Sequence, residues 1–115
     1  MGNYLPSEHS LLRIAEGDMQ EEISWAALGQ ESLRQAEIII ILSAVYARTA
    51  RKYGERAERY IHMEVGSAAR NVALQVESLG LGTVFIGAFH DSEVKKALGL
   101  PEEEMPLCLL PVGRK

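Results

Sequence analysis

The sequence predicts an α+β domain, and three observations carry that prediction. A helical apolar pattern runs over residues 58–79, a block of aliphatic residues, Ile38-Ile39-Ile40-Ile41-Leu42, precedes it, and two shorter apolar segments over 81–88 and 107–112 follow it. The chain of 115 residues is read as a single domain, 1–115, because a domain of that size buries roughly two thirds of the surface its unfolded chain exposes. At 47% hydrophobic and 24% charged residues the composition is globular and excludes wholesale disorder. A net charge of −4 opposes a grip on nucleic acid or on anionic lipid. The opening MGNYLPSEHS has no basic region followed by an apolar core. The longest apolar run, 38–45, is far short of the roughly 20 residues that cross a bilayer. A cytoplasmic protein, with no membrane partner, is expected.

The elements follow in order. Tyr4-Leu5 and residues 11–15 flank Pro6-Ser7-Glu8-His9-Ser10, a turn-rich segment that predicts a β-hairpin. Asp18 is placed to N-cap a helix running through Leu28, with Glu21 three residues later and Gly29 at the C-terminal turn. Ile23, Ala26 and Ala27 then share one face. The run Ile38 to Leu42 is β-branched and lacks alternation, so it reads as a central strand covered on both sides.

The long helix carries Ile61, Val65, Ala68 or Ala69, Val72, Val76 and Leu79 at intervals of three and four, with Gly80 as its left-handed terminating residue. A second line, Tyr60, Met63, Ser67, Asn71 and Leu74, requires cover on more than one side. Gly66, Ser67, Ala68, Ala69 and Ala73 let another helix backbone approach, including one from a second copy of the chain. Residues 81–88 then read as a strand and Asp91 as the N-cap of a short helix. Glu93 suits the start of that helix, Lys95 and Lys96 its end, and Gly99-Leu100-Pro101 stops it. The final strand, 107–112, is bounded by Pro106 and Pro111, which predicts an edge or terminal position.

Few residues invite a chemical reading. Gly80-Leu81-Gly82 closes a helix and opens a strand, the reverse of a dinucleotide-binding glycine loop. Cys108, the single cysteine, sits between Leu107 and Leu109 as a small buried side chain. It can form no internal disulfide, which fits a reducing compartment. His9, His62 and His90 lack the spacing of metal ligands, so no metal site is read. Glu102-Glu103-Glu104 reads as a solvated acidic turn. The charged run Lys52, Glu55, Arg56, Glu58 and Arg59 fits either a solvent-facing turn or the rim of a site for an anionic cofactor or substrate. Arg114 and Lys115 pose the same alternative at the terminus.

The combined order of RT, KYGER, RY, GxAAxN, LGLGTV, IGAF and PVGR over residues 36–114, with LPSEHSL, EGD and AALGQ upstream, resembles the FMN-dependent nitroreductase family. The likeness is to its C-terminal half, in the branch related to azoline-oxidising dehydrogenases of the SagB type. The resemblance implies a nitroreductase-like fold truncated at the N-terminus, with a small sheet packed against a long central helix. It implies a homodimer through that helix, FMN as cofactor and a nicotinamide nucleotide as reductant. Ile86-Gly87-Ala88-Phe89 would lie along the isoalloxazine, with a backbone N–H of Gly87 or Ala88 near the flavin N5. Arg114 and Lys115 would approach the FMN phosphate. No protein nucleophile is needed, since the flavin accepts and donates the hydride. The chain has Gly66-Ser67-Ala68-Ala69-Arg70-Asn71 where relatives often read GHAAQN, and the family's arginine-rich phosphate-binding segment has no counterpart before Tyr4. Three readings follow: a small FMN-dependent oxidoreductase or its flavin-contacting half; a non-enzymatic dimeric remnant that serves as a scaffold; and one subunit of a split enzyme whose N-terminal half is a separate polypeptide.

Overall fold

The computed structural model describes residues 2–4, 11–15, 19–30, 33, 35–46, 51 and 54–114. The elements are β1 (Gly2–Tyr4), β2 (Leu11–Ala15), α1 (Met19–Ala26), β3 (Ile38–Val45), a 3-10 turn (Gly54–Arg56), α2 (Ala57–Ser78), β4 (Leu81–Thr83), α3 (Asp91–Leu98) and β5 (Glu104–Arg114). The strands form one antiparallel sheet in the order β1-β2-β3-β5-β4.

The expected central strand is central. Successive side chains of a strand point to opposite faces, and both faces of β3 are buried. Ile40, Leu42 and Ala44 pack with Ile61, Val65, Ala68, Ala69 and Val76 of α2. Ile39 and Ile41 pack on the other side with Ile23 and Ala26 of α1, Val94 and Leu98 of α3, and Ile86. The sheet is therefore a middle layer. The predicted hairpin is present as the pairing of β1 with β2, while its connecting residues and Asp18 lie outside the described residues.

Helix α2 spans one residue more at its start than the apolar pattern gives, and it ends as expected. Gly80 takes φ +77° and its N–H reaches the carbonyl of Glu77 at 3.0 Å. Leu79, counted on the buried line, is 65% exposed because the helix has already ended. The second line is also open: Met63 and Leu74 are exposed.

Three expectations need correction. α1 ends at Ala26 because Leu28 and Gly29 both turn left-handed, at φ 66° and 69°. His90, not Asp91, is the extended residue before α3; Asp91 is the first helical residue and there places its charge at the positive end. β5 is not at an edge, since it lies between β3 and β4.

Pro111 explains both the position of β5 and the length of β4. Leu109 exchanges both backbone bonds with Ile86, so alternate residues of β5, Pro111 among them, turn their amides toward β4 and leave Leu110 and Val112 to serve β3. The register is continuous from Thr83 with Val112 to Ile86 with Leu109, which sets Val84 opposite Pro111. Proline has no N–H to give there. The predicted strand over 81–88 therefore breaks after Thr83 and returns only as the single bridge at Ile86.

Ile41 is fully buried at the centre of the sheet, so Ile41→Ala is expected to lower stability by about 2 to 5 kcal/mol. Urea unfolding followed by circular dichroism measures this, as a lower midpoint at unchanged slope.

Candidate functional site

The break in β4 shapes the segment that follows it. Ile86 is held by a two-way backbone exchange with Leu109, at 3.0 and 2.9 Å, and its side chain is buried against the α1 and α3 side of the core. Gly87 and Ala88 are exposed, and Phe89 packs half-buried on the same cluster. The N–H groups of Gly87 and Ala88 have no backbone partner among the described residues. A Cβ built on Gly87 would meet only the Phe85 ring edge, at 3.5 Å, an ordinary contact. The far end of the segment is tied to α1, through the His90 N–H to the carbonyl of Ala26 at 2.7 Å and through Gln30 Nε2 to the carbonyl of Ala88 at 3.3 Å.

Arg114 lies at the other end of the β4–β5 ladder, opposite Leu81. Five residues of strand separate it from Leu109, about 17 Å at the usual rise. The structure thus groups Ile86, Gly87, Ala88 and Phe89 in one segment and keeps Arg114 apart on the same edge. Lys115 lies outside the described residues. Arg114 Nε is 3.5 Å from Glu37 Oε1, both side chains being well exposed, and such a pair contributes little, about 0 to 1 kcal/mol. Both border a cleft of about 450 Å³ that is also lined by Gly82, Thr83, Pro111 and Gly113. Thr83 Oγ1 is buried and has no hydrogen-bond partner among the described residues.

Several ionisable groups stand away from this edge. Tyr46, just beyond β3 at the end opposite Arg114, has its hydroxyl 3.3 Å from His62 Nε2, and burial, then Glu58 and Asp91, push its pKa up. Buried Glu104 accepts a short hydrogen bond from the hydroxyl of Ser43 beside the bulge between Leu42 and Ser43. The acidic turn expected at 102–104 is therefore solvated only at Glu102 and Glu103. Glu55, Arg56, Glu58 and Arg59 are exposed, and Lys52 lies outside the described residues. Among the described residues no three His, Cys, Asp or Glu side chains gather as a metal site, and no helix is long and apolar enough to cross a membrane.

Two residues beside the segment escaped the sequence reading. Arg70 of α2 borders a smaller cleft with Thr83, Val84 and Phe85; its only signal was its place in the GSAARN run. Gln30 falls just past the α1 turn, in the AALGQ motif, and nothing local says which distant carbonyl it reaches.

The α2-backed antiparallel sheet agrees with what comparison shows. The profile of the nitroreductase family matches residues 3–114. The chain belongs to the nitroreductase family. It is 49% identical over 112 residues to a protein of Methanocaldococcus jannaschii provisionally named a nitroreductase, covering 97% of this chain and 56% of the relative. It is 27% identical over 112 residues to the NADPH-flavin oxidoreductase of Vibrio harveyi, covering 90% of this chain and 47% of that protein. A crystal structure of a provisionally assigned nitroreductase from Anabaena variabilis superposes with a TM-score of 0.79 at 32% identity, over 85% of this chain and 20% of the other. This nitroreductase-family chain spans about half the length of the curated relatives it matches.

Cys108 is fully buried, and desolvation pushes its thiol up to about 12, against a lowering hydrogen bond from the Ile86 backbone. The fold thus favours the protonated thiol. That contribution is complete below the unfolded thiol's pKa of about 8.5 and is lost as pH rises from there toward 12. Ellman's reagent is expected to leave the native chain unlabelled at pH 8 and to label one thiol in denaturant, and the urea midpoint is expected to fall between pH 9 and 11.

Proposed function

We propose that these residues form one domain, the flavin-contacting half of an FMN-dependent NAD(P)H oxidoreductase of nitroreductase type, in the branch related to the SagB-type dehydrogenases. The observation that carries this reading is the exposed N–H edge of Gly87 and Ala88, without a backbone partner among the described residues and held on a sheet by Ile86. Backbone donors fixed on a rigid element are what a flavin ring edge requires, and glycine permits its close approach. The buried Ile86 side chain anchors the segment, and its backbone would then meet the flavin. When bound, the flavin supplies the hydride chemistry. The protein binds it, orients it and needs no nucleophile. The single cysteine, Cys108, fits a reaction in the reducing cytoplasm.

Arg114, with Lys115 after it, would meet the phosphate. The exposed pair with Glu37 is weak enough for a phosphate near two negative charges to displace.

A second observation favours further polypeptide on α2. Met63 and Leu74 are exposed, and an apolar cleft of about 430 Å³ opens between α2 and the sheet, lined by Leu12, Ile14, Ile38, Val72, Leu79 and Leu81. We assign the outer face of α2, with Gly66, Ser67 and Ala73, to a second copy of the chain. A dimer that binds no flavin would instead be a scaffold, and co-purification with a complementing chain would mark one subunit of a split enzyme.

An absorbance titration with FMN, followed by anaerobic NADPH, tests the reading: saturable binding and bleaching of the flavin are expected. A folded chain that binds no FMN overturns it for this polypeptide. Gly87→Leu is expected to abolish binding while keeping the fold, since the added Cβ has room. Arg114→Gln is expected to weaken FMN by about 10 to 100-fold and to leave riboflavin unchanged, because riboflavin lacks the phosphate. On the α2 face, Leu74→Lys is expected to convert the dimer to monomer by light scattering, and an unchanged mass rejects that interface.

A further inference from the structure

We propose that Gln30 is a positioning residue that fixes the aim of the Gly87 and Ala88 N–H groups by clamping their segment to the end of α1. The inference rests on the flavin reading for its purpose, but the clamp itself is a property of the chain alone.

The segment is moored at both ends, and the peptide planes between are what a ligand would meet. At the near end, the carbonyl of Ile86 accepts from the Leu109 N–H at 2.9 Å. In a trans peptide the carbonyl and the following N–H point opposite ways. The Gly87 N–H is therefore turned away from β5, toward the open side. Without a second mooring, the next planes could rotate freely about Gly87, the least restricted residue type.

Gln30 supplies that mooring. Its Nε2 lies 3.0 Å from the carbonyl of Ala27 and 3.3 Å from that of Ala88. Both partners are carbonyl oxygens, which only accept, so the NH₂ end of the amide must face them, and both of its N–H donors are used. Fixing the Ala88 carbonyl fixes the plane after Ala88. The plane that carries the Ala88 N–H is then held between two fixed neighbours.

The base of the clamp is itself tied down. The Gln30 carbonyl accepts from the hydroxyl of fully buried Ser24 at 3.1 Å, and the Gly29 N–H reaches the Ser24 carbonyl at 2.7 Å. The left-handed turn at Leu28 and Gly29 brings Gln30 back over the end of α1. A leucine in that conformation is unfavourable, and such residues collect where the surrounding structure must hold a functional geometry. His90, bonded to Ala26, closes the same junction.

The test uses the full chain with Gln30→Met, which keeps length and removes both donors, and Gln30→Glu. Amide NMR of the flavin-free chain reads the clamp directly. In Gln30→Met the order parameters of Gly87 and Ala88 are expected to fall from about 0.85 toward 0.6, with Ile86 unchanged. FMN affinity is expected to drop about tenfold, with the bound flavin's spectrum moving toward that of free FMN. Gln30→Glu offers a donor only when protonated, below the usual glutamate pKa of about 4.3, so its affinity relative to Gln30→Met is expected to recover at pH 4 and to be lost at pH 8. A merely structural glutamine would show a lower melting temperature with no such pH difference. Unchanged Gly87 and Ala88 amides in Gln30→Met overturn the clamp, whatever the flavin does. Failure of the native chain to bind FMN removes the flavin reading, while the NMR result still decides the clamp.

Discussion

Both faces of β3 are buried from Ile39 to Val45, and that constraint organises the molecule. Ile39 and Ile41 point one way, Ile40 and Leu42 the other, and each pair needs an apolar layer against it. α2 answers one face. The shorter α1 and α3 together answer the other, meeting Ile86 and Leu109 there. β5 must then lie alongside β3 with matching alternation, which explains why Cys108, Leu110 and Val112 join the α2 side while Leu109 joins the opposite side. The bulge at Leu42 and Ser43 re-phases the ladder where Pro106 and buried Glu104 begin β5.

The exposed edge follows from the same ladder. Pro111 cannot donate to Val84, so the outer strand opens for two residues and is caught again at Ile86. What leaves Ile86 is a short segment with a free backbone edge, pinned by β5 behind and by the α1 turn ahead. The sheet thereby presents main-chain donors on an exposed segment. This arrangement suits a cofactor that carries its own chemistry, and it is consistent with a chain whose thiol is buried and whose histidines are scattered.

α2 is two-sided in a different sense. Its inner line holds the sheet, and its outer line of Met63, Ser67, Asn71 and Leu74 is open. The chain belongs to the nitroreductase family and spans about half the length of the curated relatives it matches.

Much of this was legible in the amino acids. The Ile38 to Leu42 run, the spacing of Ile61, Val65 and Val76, and the glycines at 80 and 99 are local statements, because side-chain branching, helical period and left-handed φ are properties of neighbouring residues. The family motifs were legible for the same reason. The edge position predicted for β5 failed because proline removes a donor on one side of a strand only, and the pairing of β4 and β5 decides which side. β4 was read too long because its limit is set by Pro111, far along the chain. Gln30 was invisible as a clamp since its partner is 58 residues away. The sequence by itself determined which segments are helix, strand and core, through short-range sterics and periodicity. Only the tertiary structure decided which backbone donors stay free, because that depends on which strands meet and in what register.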